Sequence, residues 1–139
     1  MSFLLDTNVV SEWTKARPNP GMIEWLHQAD EDRVFLSVIT LAELRFAVDR
    51  LPAGARRQRL DAWLRDDLPL RFESRLVPID VSIADTCGRI TAEAETPRRT
   101  VAAMDALLAA TAIARGLTLV TRNVGDFQGL VPALATPWT

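Results

Sequence analysis

Short apolar runs that break off at polar residues alternate along this chain with longer stretches of helical spacing. Phe3-Leu4-Leu5 predicts a short buried strand ending at Asp6, and Thr7 to Thr14 can begin a helix. Arg17-Pro-Asn-Pro-Gly21 is a breaker. Met22 to Ala29 then predicts a short helix carrying Ile23 and Leu26 inward, and Val34 to Val38 a second strand. Thr40 is expected to start a helix through Leu51, because Thr40-Leu-Ala-Glu43 has the form of a capping box.

After the break at Pro52-Ala-Gly54, Arg56 to Leu68 predicts a helix with Leu60, Trp63 and Leu64 on one face. Leu76 to Ile79 reads as a third strand. Val81 to Glu95 reads as a helix burying Ala84, Cys87 and Ile90, followed by a polar loop over 96–100. Met104 to Ala114 is apolar nearly all round, the mark of a helix packed on several sides, and Gly116 is placed to end it. Leu117 to Val120 reads as a fourth strand, with a further short one at Leu130-Val131. Strands alternating with helices imply a parallel sheet covered on both faces, an α/β/α sandwich of Rossmann-like type. A chain of 139 residues suits one domain spanning 1–139.

Composition narrows the function classes. No apolar run approaches the roughly 18–20 residues needed to cross a bilayer, and the apolar start meets Asp6 too soon for a signal peptide, so a cytoplasmic protein with no membrane role is expected. Cys87 is the only cysteine, which excludes a disulfide within the chain and a cysteine-built zinc site. His27 is the only histidine, which excludes a histidine pair for cleaving RNA and points to a structural role. Nucleotide-binding glycine loops and a Gly-x-Ser-x-Gly nucleophile turn are absent. The net charge of −2 is not that of a generally basic nucleic-acid binder. Eight arginines do lie between Arg45 and Arg75, but Asp49, Asp61, Asp66, Asp67 and Glu73 are interleaved with them. A solvated mixed-charge hairpin and an RNA- or partner-facing surface both fit that pattern.

The acidic residues at element boundaries carry more. Asp6 follows strand one, Glu43 sits in the first turn after strand two, Asp105 opens the apolar helix, and Asp126 follows strand four. Each has a local reading: Asp6 as a helix cap, Glu43 as half of a capping box, Asp105 against the helix dipole, Asp126 in a turn. Together they differ, because a parallel sheet brings its strand C-termini and the following helix N-termini to one edge, where ligands bind. Carboxylates gathered there repel one another unless protonated or bound to a cation, so removing one, as in Asp6→Asn, is expected to stabilise the empty fold. Oxygen-only donors favour Mg²⁺ or Mn²⁺, and the chemistry left is metal-assisted hydrolysis of phosphodiesters.

At these residues the chain resembles the PIN-domain family. Phe3-Leu-Leu-Asp6-Thr7-Asn8-Val-Val-Ser11-Glu is similar to its opening motif, and Ser37-Val-Ile-Thr40-Leu-Ala-Glu43-Leu to its second. Met104-Asp105-Ala-Leu-Leu-Ala-Ala-Thr-Ala is similar to the third, and Leu119-Val-Thr121-Arg-Asn123-Val-Gly-Asp126-Phe to the fourth. The branch it looks most like is the VapC-type toxins of bacterial toxin–antitoxin pairs, FitB-like members included. The resemblance implies a PIN fold and a Mg²⁺- or Mn²⁺-dependent endoribonuclease acting on a structured or translation-related RNA such as tRNA. It also implies a homodimer, a cognate VapB-type antitoxin, and a higher hetero-oligomer with antitoxin and operator DNA. Asp6, Glu43 and Asp105 match the three principal metal-site acids. The fourth position is filled either by Asp126 or by Asn123, and Thr7, Asn8 and Thr121 match polar positions that line the site. The competing expectation is a non-catalytic partner of an antitoxin on operator DNA.

Overall fold

Side chains alternate across a strand, so a strand buried on both faces must feed two cores. In the computed structural model, which describes residues 1–139, β1 (Phe3–Leu5) sends Leu5 into one apolar cluster and Leu4 into another. The same division holds in β2 (Val34–Ser37), where Val34 and Leu36 join Leu5 while Phe35 packs on the other side. In β4 (Thr118–Val120), Val120 goes with Leu5 and Leu119 with Leu4. Two more strands, β3 (Leu76–Val77) and β5 (Leu134–Ala135), complete a five-stranded sheet in the order β3-β2-β1-β4-β5, every pairing parallel. Helices cover both faces, the expected α/β/α sandwich.

The first layer is built by α1 (Thr7–Trp13), α2 (Pro20–Gln28), α3 (Val38–Asp49), α4 (Ala55–Ala62) and α5 (Leu68–Phe72). The second layer contains α6 (Val81–Ala94), α7 (Ala103–Arg115) and α8 (Val124–Phe127). Helix α7 buries Ala106, Leu108, Ala109, Ala110, Thr111 and Ala112, as its unbroken apolar pattern requires. It ends at Gly116, whose φ of +65° is the left-handed turn that glycine adopts without steric penalty. No helix is long and apolar enough to cross a membrane.

Several local expectations are corrected. Helix α3 starts at Val38, not Thr40, because Ser37 caps it by accepting the Ile39 N–H at 3.0 Å. Thr40 and Glu43 therefore form no capping box, and Glu43 lies in the second turn. Helix α2 starts at Pro20, where a missing N–H matters least, with Asn19 as its cap. Leu26 packs against the core as expected, but the fully buried residue is Met22 and Ile23 is not part of the cluster. The helix expected from Arg56 to Leu68 runs as α4, a wide π-turn at Trp63–Asp67, and α5. There the Leu68 N–H reaches back five residues to the Trp63 carbonyl, which makes room ahead of Pro69. Ile83, not Ala84, is the buried partner of Cys87 and Ile90 in α6. The last strand forms at Leu134–Ala135, while Leu130 and Val131 are core residues of a turn.

Four of the eight arginines between 45 and 75 are engaged within the fold: Arg45 and Arg65 on Asp61, Arg71 on Glu31, and Arg75 also beside Glu31. Arg75 donates further to the carbonyls of Glu31, Val34 and Arg71 at 2.6–2.7 Å. With Phe72 buried and Arg75 anchored, the chain must reverse within two residues, and Glu73 takes up the strain at φ +46° and ψ −113°. Glu73 is exposed and forms no ion pair, so Glu73→Gly is expected to raise stability by about 1 kcal/mol. Urea unfolding checks this; an unchanged or lower midpoint counts against strain at residue 73.

Candidate active site

The sheet order reverses between β1 and β4. Strands numbered upward run away from β1 on one side through β2, and β4 lies on the other, which opens a crevice at the strand C-termini. Asp6 continues β1 into that crevice, its N–H still donating to the Val120 carbonyl at 2.9 Å. Thr121 continues β4, its N–H donating to the Ala135 carbonyl at 3.0 Å. Helix α7 runs back toward the start of β4, so its first turn, carrying Asp105, lies at the same edge. Helix α3, leaving β2, brings Glu43.

The side chains meet in one pocket of about 320 Å³, lined by Asp6, Glu43 and Asp105 with Thr7, Asn8 and Asn123. Asp6 is 6% exposed, and three donors hold its carboxylate. Oδ1 accepts the Thr7 N–H at 2.7 Å, while Oδ2 accepts the Thr121 hydroxyl at 2.7 Å and the Asn8 amide at 3.1 Å. Asp6 thus caps α1 and faces the pocket as well; the local and the functional readings coexist. Glu43 is fixed by the Thr7 hydroxyl, which donates to Oε1 at 2.7 Å. Thr121 is fully buried and also accepts the Asn123 N–H at 3.0 Å. Asn8 turns its carbonyl oxygen to the Arg122 N–H at 3.2 Å. Asn123 lies on the pocket wall. Asp126 is exposed at the edge, and its charge acts on both Asp6 and Asp105.

Burial pushes the Asp6 carboxyl above its ordinary value, against the pull of Thr121, Thr7 and Asn8. Asp105 is pushed up to about 6, first by burial and then by the charges of Asp6, Asp126 and Glu43. No hydrogen bond offsets this. No arginine or lysine forms an ion pair with Asp6, Glu43, Asp105 or Asp126, whereas ten such pairs form elsewhere in the chain. Oxygen donors free of ion pairs, in a pocket whose acids outnumber its cations, fit a hard divalent cation. As the side chains stand, no three are gathered tightly enough to share one ion. Of Asp6, Glu43 and Asp105, only the Asp105 side chain has no hydrogen-bond partner.

Sequence reasoning passed over the opposite wall of the same pocket, made of Ser11, Glu12, Lys15, Arg122 and Trp138. Its signal was available: Asn8 and Glu12 share one face of α1 at helical spacing, and Lys15 follows three residues after Glu12, just past the helix end. The largest groove, about 600 Å³, lies elsewhere, between Trp13, Leu60, Trp63 and Leu68. It carries one acid, Asp67, and suits an apolar partner rather than phosphodiester chemistry.

The repulsion is testable through stability. A carboxyl whose folded value is raised to about 6 destabilises the empty fold as pH rises from about 4 through 6, and solvent screening of this partly exposed group holds the loss to roughly 1 kcal/mol. Asp105→Asn is therefore expected to melt higher than wild type in EDTA at pH 7.5, with the difference vanishing near pH 4. Asp6→Asn would not gain in the same way, because an amide keeps one acceptor oxygen and loses either the Thr7 bond or the Thr121 and Asn8 bonds. Equal melting of wild type and Asp105→Asn at pH 7.5 would remove the case for a strained acid pocket.

The sequence matches the PIN-domain family over residues 3–128. It is 33% identical to a VapC ribonuclease of Sinorhizobium fredii, covering 97% of this chain and 96% of the relative. It is 37% identical to the toxin FitB of Neisseria gonorrhoeae, covering 97% of each. The fold superposes on a chain in the structure of FitAB bound to a DNA fragment with a TM-score of 0.90 at 34% identity, covering 99% of this chain and 96% of that one.

Proposed function

The chain belongs to the PIN-domain family, and from that membership we propose that it is a Mg²⁺- or Mn²⁺-dependent endoribonuclease, the toxin half of a VapBC-type pair. The observation that carries the reading is the convergence of Asp6, Glu43 and Asp105, from three distant segments, on one pocket, with none of the three in an ion pair. These three carboxylates would hold the ion, with Asp126 or Asn123 as the fourth group. When bound, such an ion supplies the positive charge that eases deprotonation of a water and offsets the charge growing on phosphoryl oxygens.

The chain's own residues do the positioning. Thr121 and Asn8 lock one Asp6 oxygen, and Thr7 locks the other from its backbone. Glu43, with Oε1 engaged by Thr7, keeps Oε2 to orient the attacking water. Asp105, raised to about 6, is the acid whose ionised form gains most from positive charge entering the pocket. The partner is a VapB-type antitoxin, and the apolar groove between Trp13 and Trp63 is the surface best suited to it. A homodimer, and a larger complex with antitoxin on operator DNA, follow from the same family reading.

Likeness to a FitAB complex on DNA favours a second reading, a non-catalytic partner of the antitoxin on its operator. The two part on one experiment. The purified chain is expected to cut tRNA or total RNA in Mg²⁺ or Mn²⁺ and to stop in EDTA. Asp6→Asn, Glu43→Gln and Asp105→Asn should each lower the rate roughly a hundredfold or more while melting cooperatively. Wild-type rates in any one of these variants would sink the assignment of that residue. Metal-independent or absent RNA cleavage would favour the second reading.

A further inference from the structure

One wall of the acid pocket is basic, and nothing in the proposed chemistry uses it. Glu12 is 5% exposed, yet it is charged and sits on the pocket side of α1. Lys15 lies 2.8 Å from its Oε2, with the Lys15 side chain half exposed. That contact, foremost, holds the Glu12 carboxyl below its usual range, and Arg122 adds to it from across the crevice. One buried negative charge thus faces two cations, which leaves this wall with a formal excess of one positive charge. Asn8 ties the two walls together, since its amide donates to Asp6 while its oxygen accepts from the Arg122 backbone.

The third member is Trp138. Its indole N–H is buried on this pocket without a hydrogen-bond partner. A buried donor left unpaired calls for an acceptor. The ring is held in place by its neighbours in the chain. Asn19 accepts the Thr139 N–H and donates to the Thr139 carbonyl, both at 3.1 Å. Gly21 leaves the room this needs, because a side-chain carbon there would fall 2.4 Å from the Pro137 carbonyl oxygen.

We infer that Lys15 and Arg122, ordered around buried Glu12 and walled by Trp138, form a subsite for an RNA backbone phosphate next to the one placed at the carboxylates. This deepens the nuclease reading and rests on it for the position of the cut bond. Physically, the pocket is a dipole: acids that gather cations at one end, and cations that grip the strand at the other. Without the basic end, a polyanion approaching Asp6, Glu43 and Asp105 meets only repulsion. Glu12 acts through Lys15 as a positioning residue; it restricts a long flexible amine to the pocket rim, so less freedom is lost when phosphate binds.

The test separates binding from cleavage. Anisotropy of a fluorescein-labelled single-stranded RNA, read in EDTA, gives affinity with no turnover. Lys15→Gln and Arg122→Gln are each expected to weaken binding roughly tenfold. Each should also flatten the slope of log affinity against log salt by about 0.7. Lys15→Arg should restore most of the loss, which a purely structural role for Lys15 would not produce. In Mg²⁺ or Mn²⁺, the two neutral variants should raise KM for RNA by a similar factor and change kcat little. Arg122 is exposed, so its variant tests the idea even if loss of Lys15 unsettles Glu12.

Weaker binding in EDTA together with a wild type that cleaves nothing would keep the phosphate subsite and remove the nuclease. A cleaving wild type whose neutral variants keep full affinity, salt slope and KM overturns the subsite and leaves the nuclease standing. Loss of antitoxin binding alone, with RNA affinity intact, also overturns it and assigns the wall to protein recognition.

Discussion

A single hydroxyl bridges the gap where the sheet reverses direction. Thr121 donates from the end of β4 to the carboxylate at the end of β1, and both groups are buried. An ionised carboxylate is costly to bury without donors, and this bond, with those from Thr7 and Asn8, supplies them. To the backbone pairing of β1 with β4, which continues in the bond from the Asp6 N–H to the Val120 carbonyl, it adds a side-chain link. The acid pocket, the route of the chain into α1 and the placing of Arg122 all depend on that contact.

The pocket is built from two opposite treatments of the same functional group. Asp6 is satisfied on every side by neutral donors and is immobile. Asp105 has burial and three like charges acting on it, and nothing to offset them. Rigid and unsatisfied acids side by side make a site that prefers the arrival of positive charge to any rearrangement of its own. Arg45, Arg65 and Arg71 are occupied elsewhere, on Asp61 and Glu31, and Arg122, the arginine on the pocket wall, forms no ion pair with its acids.

Much of this was legible in the sequence, for a physical reason. A parallel sheet is buried on both faces, so its strands read as apolar runs, and polar residues at their ends stand out. That is how Asp6, Glu43, Asp105 and the Thr121–Asp126 segment were found together. What misled was local chemistry with two solutions. Thr40-Leu-Ala-Glu43 has the letters of a capping box, but Ser37 lies three residues earlier and takes the helix start, releasing Glu43 for Thr7. Glu12 was hidden because a glutamate beside a lysine on a helix reads as solvated surface. Trp138 lines the same pocket from more than a hundred residues away, and no periodicity encodes such a meeting.

The sheet also limits how the molecule can meet others. Its two outer strands, β3 and β5, are two residues long apiece. So short a rim exposes too few unpaired amides and carbonyls for another chain to join as an added strand. Assembly, with a copy of itself or with a different protein, is thereby steered to helix faces and side-chain grooves, and runaway edge-to-edge stacking into fibrils is discouraged by the same economy of backbone.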